Sequence, residues 1–384
     1  MGFLRRKPTS VILYLLHSGN LYGTERMALA TLTAMDEYQE RVVFAPRPGG
    51  DGSVAVAARD AGFVTVQFES RWDLVRQLLP WFLRYRAIDV IGTGVAQSYV
   101  CHALAKLFFV HIRQLQVAHG GAVDADAYGR KRRLNGLPIC IVAVSEFVRD
   151  KLIQHGVTQA SIRVIANFLS DSQRREYLPR PRYDSGGPSW DRSESKPTRV
   201  IVVSRVDPIK KIDVLIDAIE KQGLNEFQFD VFGTGSHLDL MRERAAPLAN
   251  ITFHGFVPDI KPKLRAADFL LHLCPDEPFG LVILEAFLTQ LVVVVPDAGG
   301  AGNLVEDGVN GLRFRADDVQ SLCTVLRAAR SSTGPRLQQI ADNARTVLDD
   351  RYSQNEGVRR YREAFRASFG SDDRLGSAQA PASS

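Results

Sequence analysis

Apolar residues in this chain come in short, dense runs, with polar and amphipathic stretches between them. Val11–Ser18, Arg41–Ala45, Val64–Phe68, Asp89–Gly92, Ile112–His119, Cys140–Ser145 and Ile162–Ala166 are rich in Val, Ile and Leu and mostly do not alternate. Runs of this kind fit strands covered on both faces of a parallel sheet. The stretches between them have helical spacing, Gly23–Met35 being the first. Strand–helix alternation predicts a doubly wound α/β sheet. The pattern breaks over Ser170–Pro197, which is rich in proline and charge and poor in aliphatic residues, as a linker is. It restarts with Arg199–Ser204, Phe227–Phe232, Ile251–Phe253, Phe269–Leu273 and Leu291–Val295, with helices such as Lys211–Lys221 and Gly280–Thr289 between them.

A chain of 384 residues has room for two domains of this type. The expected division is a first Rossmann-like domain over 1–169, a linker over 170–197 and a second Rossmann-like domain over 198–350. A C-terminal helix over 351–369 is expected to pack back on the first domain, and 370–384 to be a disordered tail. Two such domains bind ligands in the crevice at the carboxyl ends of their strands.

Composition narrows the classes. No apolar run reaches bilayer length, and the opening MGFLRRKPTS lacks the apolar core and cleavage site of a signal peptide, so a cytoplasmic protein is expected. The four cysteines are far apart and read as buried, reduced thiols; no His/Cys/carboxylate spacing suggests a metal site. Residues 1–180 carry 23 Lys/Arg against 15 Asp/Glu, whereas 181–384 carry 25 against 28. The basic first part suits an anionic lipid surface or an anionic acceptor, and ordinary solvated charge is the other account. The stretch Arg71–Arg86 mixes Trp72, Trp81 and Tyr85 with four arginines around a helical apolar stripe of Leu74, Val75, Leu78, Leu79 and Phe82. With the run Arg130–Arg133, it is the expected membrane-facing surface. No nucleic-acid partner and no cofactor are expected.

The strongest candidate chemistry is EPFGLVILE, Glu277 to Glu285, after an apolar strand. Gly280 opens a helix whose free N–H groups attract phosphate. Glu285 follows about one and a half turns inside it, so the two carboxylates lie at different depths of one pocket. They suit hydrogen bonds to sugar and ribose hydroxyls; from chemistry alone they also suit the acid and base of a hydrolase. Arg205 and Lys210, in SRVDPIK after the first strand of the second half, could neutralise a diphosphate, or be ordinary surface cations. Gly233 and Gly235, Gly299 and Gly300, and Gly23 with Thr24 follow strands and allow close backbone approach to a ligand. His119 follows the strand Ile112–Ala118 and would face the same cleft.

The order SRVDPIK, FGTG, FHGF, EPFGLVILEA and GG…VEDGVNG resembles the GT-B glycosyltransferases of the large retaining family four, the group 1 type. The likeness runs over nearly the whole chain, with YGTERMALA similar to the family's first glycine loop. It implies a nucleotide-diphosphate-sugar donor, a glycan or lipid-linked acceptor and metal-independent retaining transfer. In that family Arg205 and Lys210 would bind the diphosphate, Glu277 the transferred sugar and Glu285 the ribose, with His119 near sugar and acceptor. Donor contacts would also come from Gly23, Gly233, Gly235, Phe279, Gly280 and Leu281, and base contacts, largely backbone, from the region of His254 and Phe256. Four positions depart from the pattern: Tyr22 before Gly23, Asn167-Phe-Leu-Ser170 before the linker, Lys211 where Gly is usual and Asn303 where Glu is usual. A nucleotide-sugar 2-epimerase and a non-catalytic nucleotide-sugar-binding partner protein are the alternatives.

The cations near the phosphate site and the lack of an Asp-x-Asp pair there predict transfer that survives EDTA. Complete loss in EDTA, restored by manganese, would reject this.

Overall fold

A computed structural model describes residues 11–47, 51–120, 124–183 and 196–367. The chain's first ten residues, part of the expected linker (184–195) and the expected disordered tail lie outside them.

Among the described residues the strands form two parallel sheets. The first holds β1 (Val11–Leu15), β2 (Glu40–Pro46), β3 (Val64–Phe68), β4 (Ala87–Gly92), β5 (His111–Ala118), β6 (Ile139–Ala143) and β7 (Ile162–Val164). Its order is β3-β2-β1-β4-β5-β6-β7. The second holds β8 (Thr198–Val203), β9 (Phe227–Phe232), β10 (Ile251–Gly255), β11 (Phe269–Leu271), β12 (Val292–Pro296) and β13 (Leu312–Phe314), in the order β10-β9-β8-β11-β12-β13. Each order reverses beside its first strand, at β1/β4 and β8/β11, which is where doubly wound sheets open a binding crevice. β1, β4, β6, β11 and β12 are buried along their whole length, as strands sandwiched between helix layers must be.

The helix Gln354–Ala367 follows the second sheet in sequence but packs on the first. Val358, Tyr361 and Phe365, spaced on one helical face, join the core of Ile12, Tyr14 and Val43. Arg113 on β5 grips Asp89 on β4, its Nε 2.6 Å from Oδ1, and its guanidinium lies 5.7 Å from the Phe365 ring centre. Arg362 forks onto Glu37 at 2.8 and 2.7 Å.

The expected linker is more structured than its composition suggested. Ser170 caps a short helix, Asp171–Glu176, by accepting from the N–H of Gln173. Beyond it, Arg180 and Tyr183 are buried in the second lobe. The Tyr183 hydroxyl donates to the Asp268 carbonyl at 2.7 Å and accepts from the Val292 N–H at 3.0 Å, while Arg180 lies 3.8 Å over the Tyr183 ring. The strand β13 escaped the sequence reading because Arg313 and Arg315 interrupt Leu312 and Phe314, leaving no apolar run.

The expected membrane-facing surface is smaller than predicted. Leu74, Leu78 and Phe82 of the helix Arg71–Arg84 are buried, but so is Tyr85, and Trp81 stacks on it. Of those aromatic residues only Trp72 stands out, 85% exposed. In the run Arg130–Arg133, Arg130 pairs with Asp126 and Lys131 turns inward. No helix among the described residues is long and apolar enough to cross a membrane. The four cysteines are buried and free.

Gly357 faces the buried Phe168 ring, and a Cβ there would lie 2.2 Å from Cδ1. Helix propensity alone would reward Gly357→Ala by under about 1 kcal/mol. Overpacking against a ring that cannot move outweighs it, so the variant should lose about 1–3 kcal/mol in urea unfolding. A stabilised Gly357→Ala would contradict this packing.

Candidate functional site

The carboxyl ends of the two sheets face each other across a cleft of about 330 Å³. The first lobe contributes Gly23, Thr24, His119, Gly120 and Asn167; the second contributes Arg205, Ile209, Lys210 and the loop Asp276–Leu281. That loop joins β11 to the helix Leu281–Leu288, which Gly280 caps. The helix sequence LVILEAFL is almost wholly apolar, so the helix is held in the core with its N-terminal N–H groups at the cleft.

Glu277 is the centre of the second wall. Lys210 Nζ donates to its Oε2 at 2.6 Å, and His272 Nε2 lies 3.3 Å from the same oxygen. Burial favours the neutral acid, but His272 and Lys210 outweigh it and hold the carboxyl below the usual range. Glu277 is therefore an anion in a nearly closed pocket, its side chain 15% exposed. Arg205 differs: it is 62% exposed and reaches Asp207 at 2.6 Å. Asp207 also accepts from Ser236, from N–H at 2.9 Å and from the hydroxyl at 3.0 Å.

On the facing wall His119 is half-buried at the end of β5, and its Nε2 has no hydrogen-bond partner. Burial, and then the nearby His17 and Lys131, push its pKa down to about 3, so the ring is neutral at physiological pH. A neutral imidazole with an unpartnered nitrogen can donate to or accept from a hydroxyl.

The structure brings Glu277, Arg205, Lys210, His119, Gly23, Phe279, Gly280 and Leu281 to this one cleft. Gly233, Gly235, His254, Phe256 and Glu285 are not among its lining residues. Gly233 and Gly235 are required by a neighbouring loop: a Cβ would fall 1.9 Å from the Ser204 carbonyl oxygen and 2.5 Å from that of Val206. His254 stacks on Phe232, ring centres 4.4 Å apart, with Nε2 2.6 Å from Asp230 Oδ1, and Phe256 is 70% exposed. Glu285 sits deeper. Burial raises its carboxyl above the usual range, against the pull of Tyr177, Arg26 and Lys261.

Sequence reasoning missed His272, Asp207 and Tyr177. The first had a signal, a lone His inside the apolar run Phe269–Leu273. Tyr177 had none, because its contact comes from the linker. Two departures are accounted for. Lys211 has φ +57°, the left-handed region where glycine is cheaper by about 1–2 kcal/mol, and its Nζ lies 3.2 Å from Asp317. Asn303 accepts from the Phe147 N–H at 3.2 Å, a hydrogen bond between the lobes.

Residues 197–330 match the family model described as "Glycosyl transferases group 1". An uncharacterised 41.2 kDa protein in the cps region of Klebsiella pneumoniae is 23% identical over 190 residues, 49% of this chain and 51% of that one. A D-inositol 3-phosphate glycosyltransferase of Rhodococcus jostii is 28% identical over 273 residues, 65% of this chain and 57% of that one. The lipopolysaccharide core biosynthesis glycosyltransferase LpsE of Rhizobium meliloti is 26% identical over 55% of this chain and 57% of its own. The chain thus spans about half the length of the curated relatives it matches. Among solved structures, Anabaena HepE in complex with UDP and glucose superposes with a TM-score of 0.75 at 21% identity, covering 92% of this chain and 98% of that one. Sucrose-phosphate synthase from Thermosynechococcus elongatus does so with 0.69 at 15%, covering 95% and 99%. The match to the group 1 glycosyl transferase model thus falls within the second lobe, and the two lobes together have the GT-B fold.

Proposed function

We propose that this protein transfers a sugar from a nucleoside-diphosphate sugar to a glycan or lipid-linked acceptor, with retention of configuration and without a metal. The observation that carries the reading is the convergence of Lys210, Arg205, Glu277 and a helix N-terminus on one wall of the cleft, opposite His119. In this reading the second lobe holds the donor and the first lobe the acceptor. The leaving diphosphate lies between Arg205, Lys210 and the N–H groups at Gly280 and Leu281, which stabilise the charge that develops on it. Glu277, held ionised, accepts from the hydroxyls of the transferred sugar. His119, held neutral, hydrogen-bonds the sugar from the other side. Glu285 takes the ribose, sharing it with Tyr177. The reaction then runs on one face of the sugar: the diphosphate leaves with the bonding electrons and takes the proton of the attacking hydroxyl.

Similar proteins support the donor and acceptor classes. HepE has been crystallised with UDP and with UDP-glucose, and LpsE is named for lipopolysaccharide core synthesis. A nucleoside diphosphate sugar and an envelope glycan are the corresponding proposals here.

Arg205→Ala with Lys210→Ala should abolish turnover and weaken nucleoside diphosphate binding about tenfold or more, as loss of two charge-assisted contacts requires. Lys210→Ala alone strands a buried carboxylate, at about 3–5 kcal/mol of stability, so Lys210→Ala with Glu277→Gln is the folded control. Glu277→Gln should cut kcat and spare UDP affinity, whereas Glu285→Gln should weaken UDP itself. Calorimetry of UDP binding beside radiolabelled-donor turnover separates them; equal losses of UDP affinity in both single variants would refute the division of roles.

A further inference from the structure

The first lobe's side of the cleft carries a second polar cluster that the donor, in the reading above, meets only at His119. β1, β4 and β5 lie side by side, and a polar residue follows the carboxyl end of each: His17, Thr93 and His119. Thr93 Oγ1 accepts from the His17 backbone N–H at 3.0 Å and lies 2.9 Å from its Nδ1. Lys131, in the turn Gly129–Leu134 between β5 and β6, is 7% exposed. Its Nζ donates to the Ala127 carbonyl at 2.9 Å, one bond for a group with three donors. No carboxylate pairs with Lys131 among the described residues, and Asp126, close in sequence, is held by Arg130 at 2.7 Å.

Such a buried ammonium is expensive unless an anion meets it. Burial lowers its pKa to about 8, which still leaves it mostly charged at neutral pH. Burial first, and that charge after it, disfavour protonation of both His17 and His119. Among the described residues the cluster therefore gathers one cation without a carboxylate partner, two imidazoles and an unpartnered His119 Nε2. Arg205 and Lys210, by contrast, each have a carboxylate partner.

We propose that Lys131, with His17 and His119, forms an oxyanion site on the first lobe, and that the acceptor carries a phosphate ester or a carboxylate which this site holds beside the attacking hydroxyl. Naming the ligand an acceptor rests on the transferase reading; the oxyanion site itself does not.

The test follows the ring resonances of His17 and His119 by ¹H–¹⁵N NMR, at constant ionic strength, in the full chain with and without saturating UDP. The probes are glycerol 3-phosphate, glucuronate and, as the neutral control, glucose. Saturable shifts are expected with at least one of the two anions and none with glucose, and they persist when UDP is bound. Which anion binds tells phosphate ester from carboxylate. Lys131→Met should weaken that binding about tenfold or more, whereas Lys131→Arg should keep it within about threefold. UDP affinity should be unchanged in both variants. Absence of saturable shifts with both anions in the wild type overturns the proposal, as does equal anion binding in a folded Lys131→Met. Anion binding that disappears when UDP is added overturns it too, because the probe then sits on the donor wall. If Lys131→Met does not fold, the wild type and Lys131→Arg decide. A wild type that binds the anion but none of UDP, dTDP, GDP, ADP and CDP fails the transferase reading and leaves the oxyanion site standing.

Discussion

A carboxylate and an ammonium 2.6 Å apart, each side chain about 15% exposed, cannot be left singly in a protein interior. Glu277 and Lys210 come from different loops of the second lobe, so their pairing fixes those loops against each other. The loop that carries Glu277 is also gripped from outside its own lobe. The Ser145 hydroxyl donates to the Pro278 carbonyl at 2.6 Å, and Gly120, at φ +91°, passes so close that a Cβ would lie 2.4 Å from Pro278 Cγ. Gly300 N–H donates to the Glu277 carbonyl at 2.6 Å from the third side. A loop held from three sides keeps that ionised carboxylate aimed into the cleft.

The two cations of that wall are built for different tasks. Lys210 is buried and committed to Glu277, so it is a fixed charge. Arg205 is exposed, and an exposed ion pair contributes about 0–1 kcal/mol, so leaving Asp207 costs it little. Asp207 keeps its two bonds from Ser236 when Arg205 departs. In the proposed reaction an incoming diphosphate would thus meet one fixed charge and one that can swing onto it.

Much of this was legible in the chain. The parallel architecture was readable because strands covered on both faces have no polar side to hide, and apolar runs such as Val292–Pro296 announce themselves. Of the cleft, Glu277, Lys210, Arg205 and His119 were readable as polar residues just past strand ends. What escaped was direction. Arg130–Arg133 reads as one basic patch, yet a tight turn sends Lys131 inward and leaves its neighbours outside. Tyr85 reads as a surface aromatic and is core. Arg180 and Tyr183 sit in a stretch whose composition says linker, while their contacts are made with residues about a hundred positions away. Periodicity reports a local face; it does not report what arrives from elsewhere to cover it.

The helix Gln354–Ala367, lying on the lobe where the chain begins, means that the polypeptide passes between the lobes twice. Phe168 on the first passage is wedged against Gly357 on the second. Two crossings pinned together resist separation, because pulling the lobes apart along either passage would unseat a buried ring. Asn167, one residue from that pin, places the cleft beside the point where the two passages meet. The ion pair of the second lobe's wall lies wholly within that lobe and does not depend on the pin.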